Sequence, residues 1–172
     1  MYFQYPLESL ARRRSAKSQM DFARQAKLAL VDTDELFSRP FADGLVLFAA
    51  NEDALEEPTR ILRDLYGEVV ELRPPRVRVI PGEPEQEPIM NVRITARVEH
   101  EGRIIGELRR RGAEILEKCI RGRVFIVRAE APLALVLGLP ASLDVLTGGT
   151  AAHAIRLVRY APVPPPFDPE AA

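Results

Sequence analysis

The sequence contains few of the residues that build cross-linked, metal-bound or membrane-spanning proteins. Its 172 residues include one cysteine, Cys119, and no tryptophan, which excludes a disulfide framework and a multi-cysteine metal site. No apolar run approaches the roughly 18 residues of a membrane-spanning helix, and no signal-peptide pattern follows Met1. Cys119 is typical of a buried small apolar residue, and His100 and His153 have no partner at metal-ligand spacing. We therefore expect a soluble cytoplasmic protein with no metal, no cofactor and no membrane partner.

Signatures of nucleotide binding and catalysis are missing as well. Nothing in the sequence reads G-x-x-x-x-G-K-[ST], the loop whose backbone N–H groups and lysine hold nucleotide phosphates. No Ser/His/Asp or paired-carboxylate arrangement stands out, so we expect no enzymatic activity and no bound nucleotide. Lysine is also scarce, with 3 Lys beside 21 Arg, a bias that we attribute mainly to codon usage.

Proline and glutamate mark the points where the chain divides. Residues 81–88 contain three prolines, one glycine and no other apolar side chain, a composition that does not suit a helix or a central strand. We predict a linker there, between a first domain at 1–80 and a second domain at 89–163. The proline-rich stretch from Pro162 onward is predicted not to continue a sheet, with an extended tail at 164–172.

The net charge of −1 conceals an uneven distribution along the chain. Residues 1–80 carry 12 basic and 13 acidic side chains, whereas residues 88–163 carry 12 basic and 7 acidic side chains, a net charge of +5. The linker adds three glutamates. A basic second domain favours a polyanionic partner for that part of the chain.

Periodicity in the second domain predicts the ferredoxin-like order βαββαβ. Apolar and polar residues alternate over 90–98, as they do in a strand with one buried face. Gly112 and Gly138 each follow an apolar segment with helical spacing. The other predicted elements are a helix over 102–111, strands over 113–120 and 123–131 joined by Arg121-Gly122, a helix over 132–138 and, after a loop, a strand over 151–160.

The first domain fits the same order. Pro58 lies inside its second predicted helix, where an interior proline costs about 3 kcal/mol, so that helix either begins near Glu57 or is kinked. The predicted fold class is therefore α+β, with two tandem ferredoxin-like domains. The elements of the first domain are strands over 7–13, 36–41 and 45–49, helices over 15–30 and 51–66, and a final strand at either 69–72 or 77–80.

Motifs with characteristic spacing occur across residues 87–163. They read Glu87-Pro88-Ile89-Met90-x-Val92, Gly106-x-Leu108-x-x-Arg111-Gly112, Ala129-Glu130-Ala131-Pro132-Leu133, Leu143-x-x-Leu146-Thr147-x-Gly149 and Tyr160-Ala161-Pro162-Val163. Together they resemble the last domain of bacterial elongation factor G. The resemblance implies a domain that docks on the ribosome, and it places the loop at 146–150 near the factor-binding centre.

A second likeness relates residues 3–80 to the third domain of the same family. It rests on Phe3-x-x-Pro6, Ser9-Leu10-Ala11 and Lys17, and it departs from the family at Ala49-Ala50-Asn51, where the family has Gly-Met-Gly. The resemblance implies that these two domains are joined directly. The family's nucleotide-binding, barrel and decoding-site domains have no counterpart in the chain, so we expect no GTP-driven translocation by this chain itself.

Clustered cations are the candidate ribosome contacts. Guanidinium groups suit phosphate oxygens, but arginines at a helix end are equally explained by solvation and the helix dipole. The triplet at 12–14 has the same two interpretations. The glycine loop lacks the family's Gln and Arg and carries Asp144, so a turn without a partner is an alternative there. The candidate ribosome- or RNA-binding residues are Arg109, Arg110, Arg111, Lys118, Arg121, Arg123, Thr147, Gly148 and Gly149.

Three functional hypotheses remain open from the sequence. The first is a non-catalytic protein that binds the ribosome or another translation factor. The second is a protein-interaction or oligomerisation module, such as a homodimer, that kept the fold and lost ribosome binding. The third is a fragment or partner of a larger factor that supplies the GTPase.

Overall fold

Two antiparallel sheets and the helices packed on them make up most of residues 3–165, the part of the chain that this computed structural model describes. In the first sheet the strand order is β2-β3-β1-β4, and β5 also pairs with β1. This is the order of a βαββαβ ferredoxin-like unit, which we call the first unit. Its elements are β1 (Leu7–Arg13), α1 (Gln19–Lys27), β2 (Leu36–Phe41), β3 (Gly44–Ala49), α2 (Glu56–Tyr66), β4 (Val70–Leu72) and β5 (Arg76–Val77).

The second sheet repeats this arrangement, with the order β7-β8-β6-β9. All of its pairs are antiparallel, and the repeat confirms the predicted α+β class with two ferredoxin-like units. We call this part the second unit. Its elements are β6 (Gln86–Arg97), α3 (Glu101–Arg110), β7 (Glu114–Arg121), β8 (Val124–Pro132), α4 (Leu133–Val136), α5 (Leu139–Thr147) and β9 (Ala152–Pro162).

The helical region after β8 differs from the prediction of one helix followed by a loop. α4 is a single turn, Gly138 adopts a left-handed conformation with φ of 78°, and α5 begins directly after it. Pro140 lies in the first turn of α5, where the missing N–H costs no helical hydrogen bond. Gly138-Leu139-Pro140 therefore joins two helices instead of ending one.

Both proline-rich stretches contribute to the second sheet, contrary to the expectation that they cannot. Residues 86–88 pair with 160–162 of β9, so β6 begins inside the stretch predicted as a linker. Pro88 is accommodated because pairing with β8 starts only at Ile89, which leaves one side of the strand without a ladder there. The division into domains at 1–80 and 89–163 stays a prediction, and residues 166–172 of the predicted tail lie outside the described residues.

Two uncertainties about the first unit are resolved by its geometry. α2 begins at Glu56, so Pro58 lies in the first turn and the helix needs no kink. Of the two candidate final strands, 69–72 agrees with β4, whereas only Val77 of 77–80 belongs to a strand, β5. Both β4 and β5 pair with β1. In the β2–β3 hairpin, Gly44 has φ of 142° and a Cβ there would lie 2.3 Å from the Ala11 carbonyl oxygen, so only glycine fits.

Helices cover one face of each sheet and leave the other face uncovered. In the second unit the buried side chains of β6 and β8 alternate along the strands and pack with the buried stripe of α3. The alternate residues of β6, β8 and β9 point away from these helices. No helix within residues 3–165 has the length and apolar character needed to cross a membrane.

Polar bonds join the two units. The side chain of Asn51, which is 8% exposed, donates from Nδ2 to the Ile155 carbonyl at 3.0 Å. The Glu52 carboxylate accepts the Gly138 N–H at 2.9 Å, and burial raises the pKa of Glu52. His153 Nε2 lies 2.8 Å from the carboxylate of Asp53. These contacts involve the helical side and the β9 edge of the second unit.

Candidate nucleic-acid interface

Arg111 holds the connection between α4 and α5. Its guanidinium donates to the carbonyls of Leu135 and Leu137, at 3.1 and 2.7 Å, and to the hydroxyl of Ser142 at 3.0 Å. It also bonds Glu107 at 2.6 Å, and its side chain is 13% exposed. The structure therefore gives Arg111 an internal role, and its predicted RNA contact stays a prediction.

The other two arginines of the triplet differ from Arg111 in exposure. Arg110 forms a two-pronged pair with Glu107, at 2.7 and 3.0 Å, on the surface of α3. Hydrogen bonds from Arg110 and Arg111 lower the pKa of Glu107 to about 2. Arg109 is exposed and has no ion pair within residues 3–165. Of the triplet, only Arg109 presents an unpaired cation to solvent.

The glycine loop after α5 is closed by its own hydrogen bonds. Thr147 is 4% exposed, and its hydroxyl donates to the Leu143 carbonyl at 2.7 Å while accepting the Ala151 N–H at 3.1 Å. Gly148 and Gly149 have φ of 63° and 76°, and both are exposed. Thr147 thus shapes the turn, and the two glycines are the accessible part of the loop. The predicted RNA contact of this loop stays a prediction.

The last three candidates lie around β7. Lys118 has its ammonium 3.4 Å from Glu101 at the start of α3, on the helical side of the sheet. Arg121 ends β7 and Arg123 lies in the turn to β8, and both are exposed. The predicted residues therefore do not form one surface. They occupy the end of α3, the loop after α5, the helical side of β7 and the β7–β8 turn.

Sequence reasoning missed a group of arginines on the uncovered face of the second sheet. Strand register brings them together from four strands: Arg93 lies directly opposite Arg128, and Val124 lies between Arg97 and Arg121. Alternation along 90–98 indicates that Arg93 and Arg97 share the solvent side, but only the pairing of distant strands brings the arginines of β7, β8 and β9 beside them. We call this group the arginine face: Arg93, Arg97, Arg121, Arg128 and Arg156, all of them exposed.

Only part of the arginine face is neutralised by the protein. Arg128 lies 3.2 Å from Glu117, and Arg97 lies 3.7 Å from Glu99. Across the described part of the chain, Arg93, Arg121 and Arg156 have no carboxylate partner. Among the acidic residues of the same face, Glu117 lies opposite Arg128. The other three, Glu87, Glu114 and Glu130, lie toward the start of β6, where Glu130 pairs with Arg159 at 2.7 Å.

The uncovered face of the first sheet has a different character. A groove of about 560 Å³ is lined there by Leu10, Val46 and Phe41, with Phe41 45% exposed. Arg73 and Arg76 flank it. Among residues 3–165 there is no group of three or more His, Cys, Asp or Glu side chains arranged to hold a metal ion.

The fold and the charge distribution define a class: tandem ferredoxin-like α+β units, the second with a basic sheet face. Within that class, the chain belongs to the family described as elongation factor G C-terminus, whose model matches residues 85–170. The second unit is therefore a translation-factor-like domain, which confirms the resemblance drawn from its motifs. The likeness of residues 3–80 to the family's third domain stays a prediction.

Individual relatives agree with this assignment. The chain is 38% identical over 78 residues to elongation factor G 2 of Hahella chejuensis, an alignment covering 45% of this chain and 12% of that protein. It is 36% identical over 78 residues to elongation factor G of Granulibacter bethesdensis, covering 45% and 11% of the two chains. A crystal structure of a Thermus thermophilus protein shares the fold, with a TM-score of 0.65 and 18% identity over 92% of this chain and 41% of that one.

Proposed function

We propose that this chain binds the ribosome, or another component of the translation machinery, through its second unit and without catalysing a reaction. The observation that carries the proposal is the match of residues 85–170 to the elongation factor G C-terminus. That unit also carries the excess positive charge, +5 over residues 88–163, which suits a partner rich in phosphate.

The accessible candidates for the contact are fewer than the sequence indicated. Arg109, Arg121 and Arg123 are exposed and have no ion pair within residues 3–165. Gly148 and Gly149 present an exposed turn at the same unit. Arg111 and Thr147 hold the α4–α5 connection and the loop after α5 from inside, through hydrogen bonds to backbone carbonyls.

Co-sedimentation with purified bacterial ribosomes tests the proposal. We expect the chain to pellet with ribosomes at low salt and to be released as salt rises, because binding to phosphates displaces condensed counterions. A run without ribosomes controls for aggregation. Failure to pellet at any salt concentration would contradict ribosome binding.

The groove on the first sheet favours a second candidate function, a protein-interaction module. Phe41 is a large exposed apolar side chain beside Leu10 and Val46 on a face that no helix covers. Light scattering of the purified chain separates the two functions. A stable dimer that does not pellet with ribosomes would support the interaction module, whereas a monomer that pellets would support ribosome binding.

A further inference from the structure

The arginine face is an unusual surface because its like charges lie directly opposite one another. Arg93 on β6 faces Arg128 on β8 in register, and residues in such pairs have Cβ atoms about 5 Å apart. Like charges at this distance destabilise a sheet. Arg97 on β6 and Arg121 on β7 lie on either side of Val124, so they bring two more positive charges to the same face. Glu117 offsets the charge of Arg128 and Glu99 that of Arg97, whereas Arg93 has no such partner, so the repulsion at Arg93 is only partly relieved.

Protection of sheet edges does not explain the three arginines on the central strands. Charged residues on edge strands prevent sheets from pairing with other chains, and β7 and β9 are the edges of this sheet. Arg93, Arg97 and Arg128 lie on β6 and β8, the two central strands. The contacts to the first unit named above also lie elsewhere, at the helical side and the β9 edge. A function outside the fold is needed to account for the central arginines.

We propose that the arginine face binds the phosphate backbone of double-stranded RNA. This proposal rests on the proposed function, because it names the surface through which the second unit would bind a ribosomal partner. Guanidinium groups bind phosphate oxygens in a two-pronged geometry. Three of the five arginines, Arg93, Arg121 and Arg156, have no carboxylate partner in the described structure and are open to such contacts.

The chemistry of the face favours a duplex over a single strand. Proteins that bind single-stranded nucleic acid stack bases on aromatic side chains, and the uncovered positions of β6 to β9 carry none. The residues between the arginines are small or aliphatic, among them Thr95, Ile126 and Ala154. Duplex RNA is recognised mostly by its shape and its backbone, which a rigid array of cations on a sheet can contact without reading bases.

The acidic residues of this face limit where on the sheet a duplex can bind. Glu87, Glu114 and Glu130 lie toward the start of β6, while Arg97 and Arg121 lie at its other end. Phosphates are repelled from the first end and attracted to the second. Arg123 extends the basic end into the β7–β8 turn. The duplex is therefore expected to cross the sheet diagonally, from Arg156 on β9, opposite Asn91, over Arg93, to Arg121 at the end of β7.

A triple variant of the full chain tests the proposal. Arg93→Gln/Arg121→Gln/Arg156→Gln removes the three arginines that lack ion pairs. The matched control Arg24→Gln/Arg63→Gln/Arg103→Gln removes the same charge from exposed positions on α1, α2 and α3. The probe is a labelled RNA hairpin with a stem of roughly 16 base pairs, titrated at several salt concentrations. An unstructured RNA of equal length serves as the single-stranded probe, and circular dichroism verifies folding.

We expect the wild type and the control to bind the hairpin alike, and the triple variant to bind at least about tenfold more weakly. The negative slope of log affinity against log salt concentration should be shallower by about 3 in the triple variant, because about three phosphate contacts are lost. Equal binding of the triple variant and the control would overturn the proposal. A triple variant that loses affinity for the single-stranded RNA and keeps its affinity for the hairpin would also overturn the proposal.

Co-sedimentation separates this inference from the proposed function. In one outcome the wild type does not bind the hairpin, and the triple variant pellets with ribosomes as well as the wild type does. This outcome would contradict RNA binding by the arginine face and would leave ribosome binding supported. A wild type that binds the hairpin through these arginines and never pellets with ribosomes supports the face and contradicts the proposed function.

Discussion

Arg109 and Arg111 are two positions apart in sequence, but only Arg111 forms hydrogen bonds to Glu107, Ser142 and the backbone carbonyls of the α4–α5 connection. Arg111→Ala removes the donor from the Leu135 and Leu137 carbonyls and leaves the α4–α5 connection without its anchor. We expect a loss of about 2–4 kcal/mol in the free energy of unfolding, since these are charge-assisted bonds of a mostly buried group. Urea denaturation measures it. Arg109→Ala is the control and should stay within about 0.5 kcal/mol; equal effects would contradict the internal role.

Glu107 makes the free energy of unfolding depend on pH. Its pKa falls from an ordinary value of 4.5 to about 2, first through the hydrogen bond from Arg110 and then through Arg111. A carboxyl whose pKa is lower in the folded state stabilises the fold above its unfolded pKa, and that contribution is lost as the pH falls. The affected window therefore runs from pH 4.5 down to about 2.

Replacing this carboxylate tests the window. The Glu107→Gln variant should lose less stability than the wild type between about pH 5 and pH 2.5, because it has no proton to bind there. Urea midpoints across that range are the measurement. Glu114→Gln, an exposed position on β7, is the control and should follow the wild type. Identical pH profiles for all three proteins would rule out Glu107 as the titrating group.

At the scale of elements, hairpins and alternating strands were predictable because short-range signals specify them. The bounds 7–13 and 36–41 agree with β1 and β2. α5 was missed because Leu139–Thr147 is apolar around most of its circumference and begins with a Gly-Leu-Pro sequence that is typical of a break. Its helical state depends on burial of Leu139 and Leu143 in the core, which sequence periodicity does not report.

The candidate site was predicted only in part for a related reason. Dense runs such as the triplet at 109–111 are visible in sequence, but the structure uses Arg111 and Arg110 for local bonds. The arginine face is dispersed over residues 93 to 156, and strand register assembles it. Charge density along the sequence is therefore a weaker guide to a sheet surface than alternation combined with strand pairing.

The opposition of Arg93 and Arg128 leads to a prediction about the sheet itself. Arg93→Thr relieves the repulsion and should raise the free energy of unfolding by about 0.5–1 kcal/mol. Arg156→Thr introduces the same strand-favouring residue opposite Asn91, which is neutral, and should raise it less. Thermal and urea denaturation at low ionic strength measure the difference, which salt should diminish. A loss of stability in Arg93→Thr would mean that the fold, and not a ligand, requires this arginine.

At the scale of the whole molecule, the contact between the units was beyond sequence reasoning, because it depends on how two separately patterned units are placed. Asn51, Glu52 and Asp53 follow β3 in the first unit and meet Ile155, Gly138 and His153 of the second. In sequence these pairs are 86 to 104 residues apart. Asn51 also ends the segment Ala49-Ala50-Asn51, where the sequence departs from the third-domain pattern that we predict for residues 3–80.

Asn51 offers the sharpest test of whether the units are stabilised by each other. Its Oδ1 accepts the Ala54 N–H at 3.0 Å within the first unit, while its Nδ2 donates to Ile155 across the junction. Asn51→Ala removes both bonds, and we expect it to cost about 1–3 kcal/mol because the site is buried. Asn51→Asp keeps the acceptor for Ala54 and replaces the donor to Ile155 with a carboxylate oxygen, which repels the Ile155 carbonyl. Hydrogen exchange should then show faster opening of β9 in both variants if the bond couples the units. Wild-type exchange of β9 in Asn51→Asp, with a loss of stability only in Asn51→Ala, would assign the effect to the local bond and would leave the two units energetically independent.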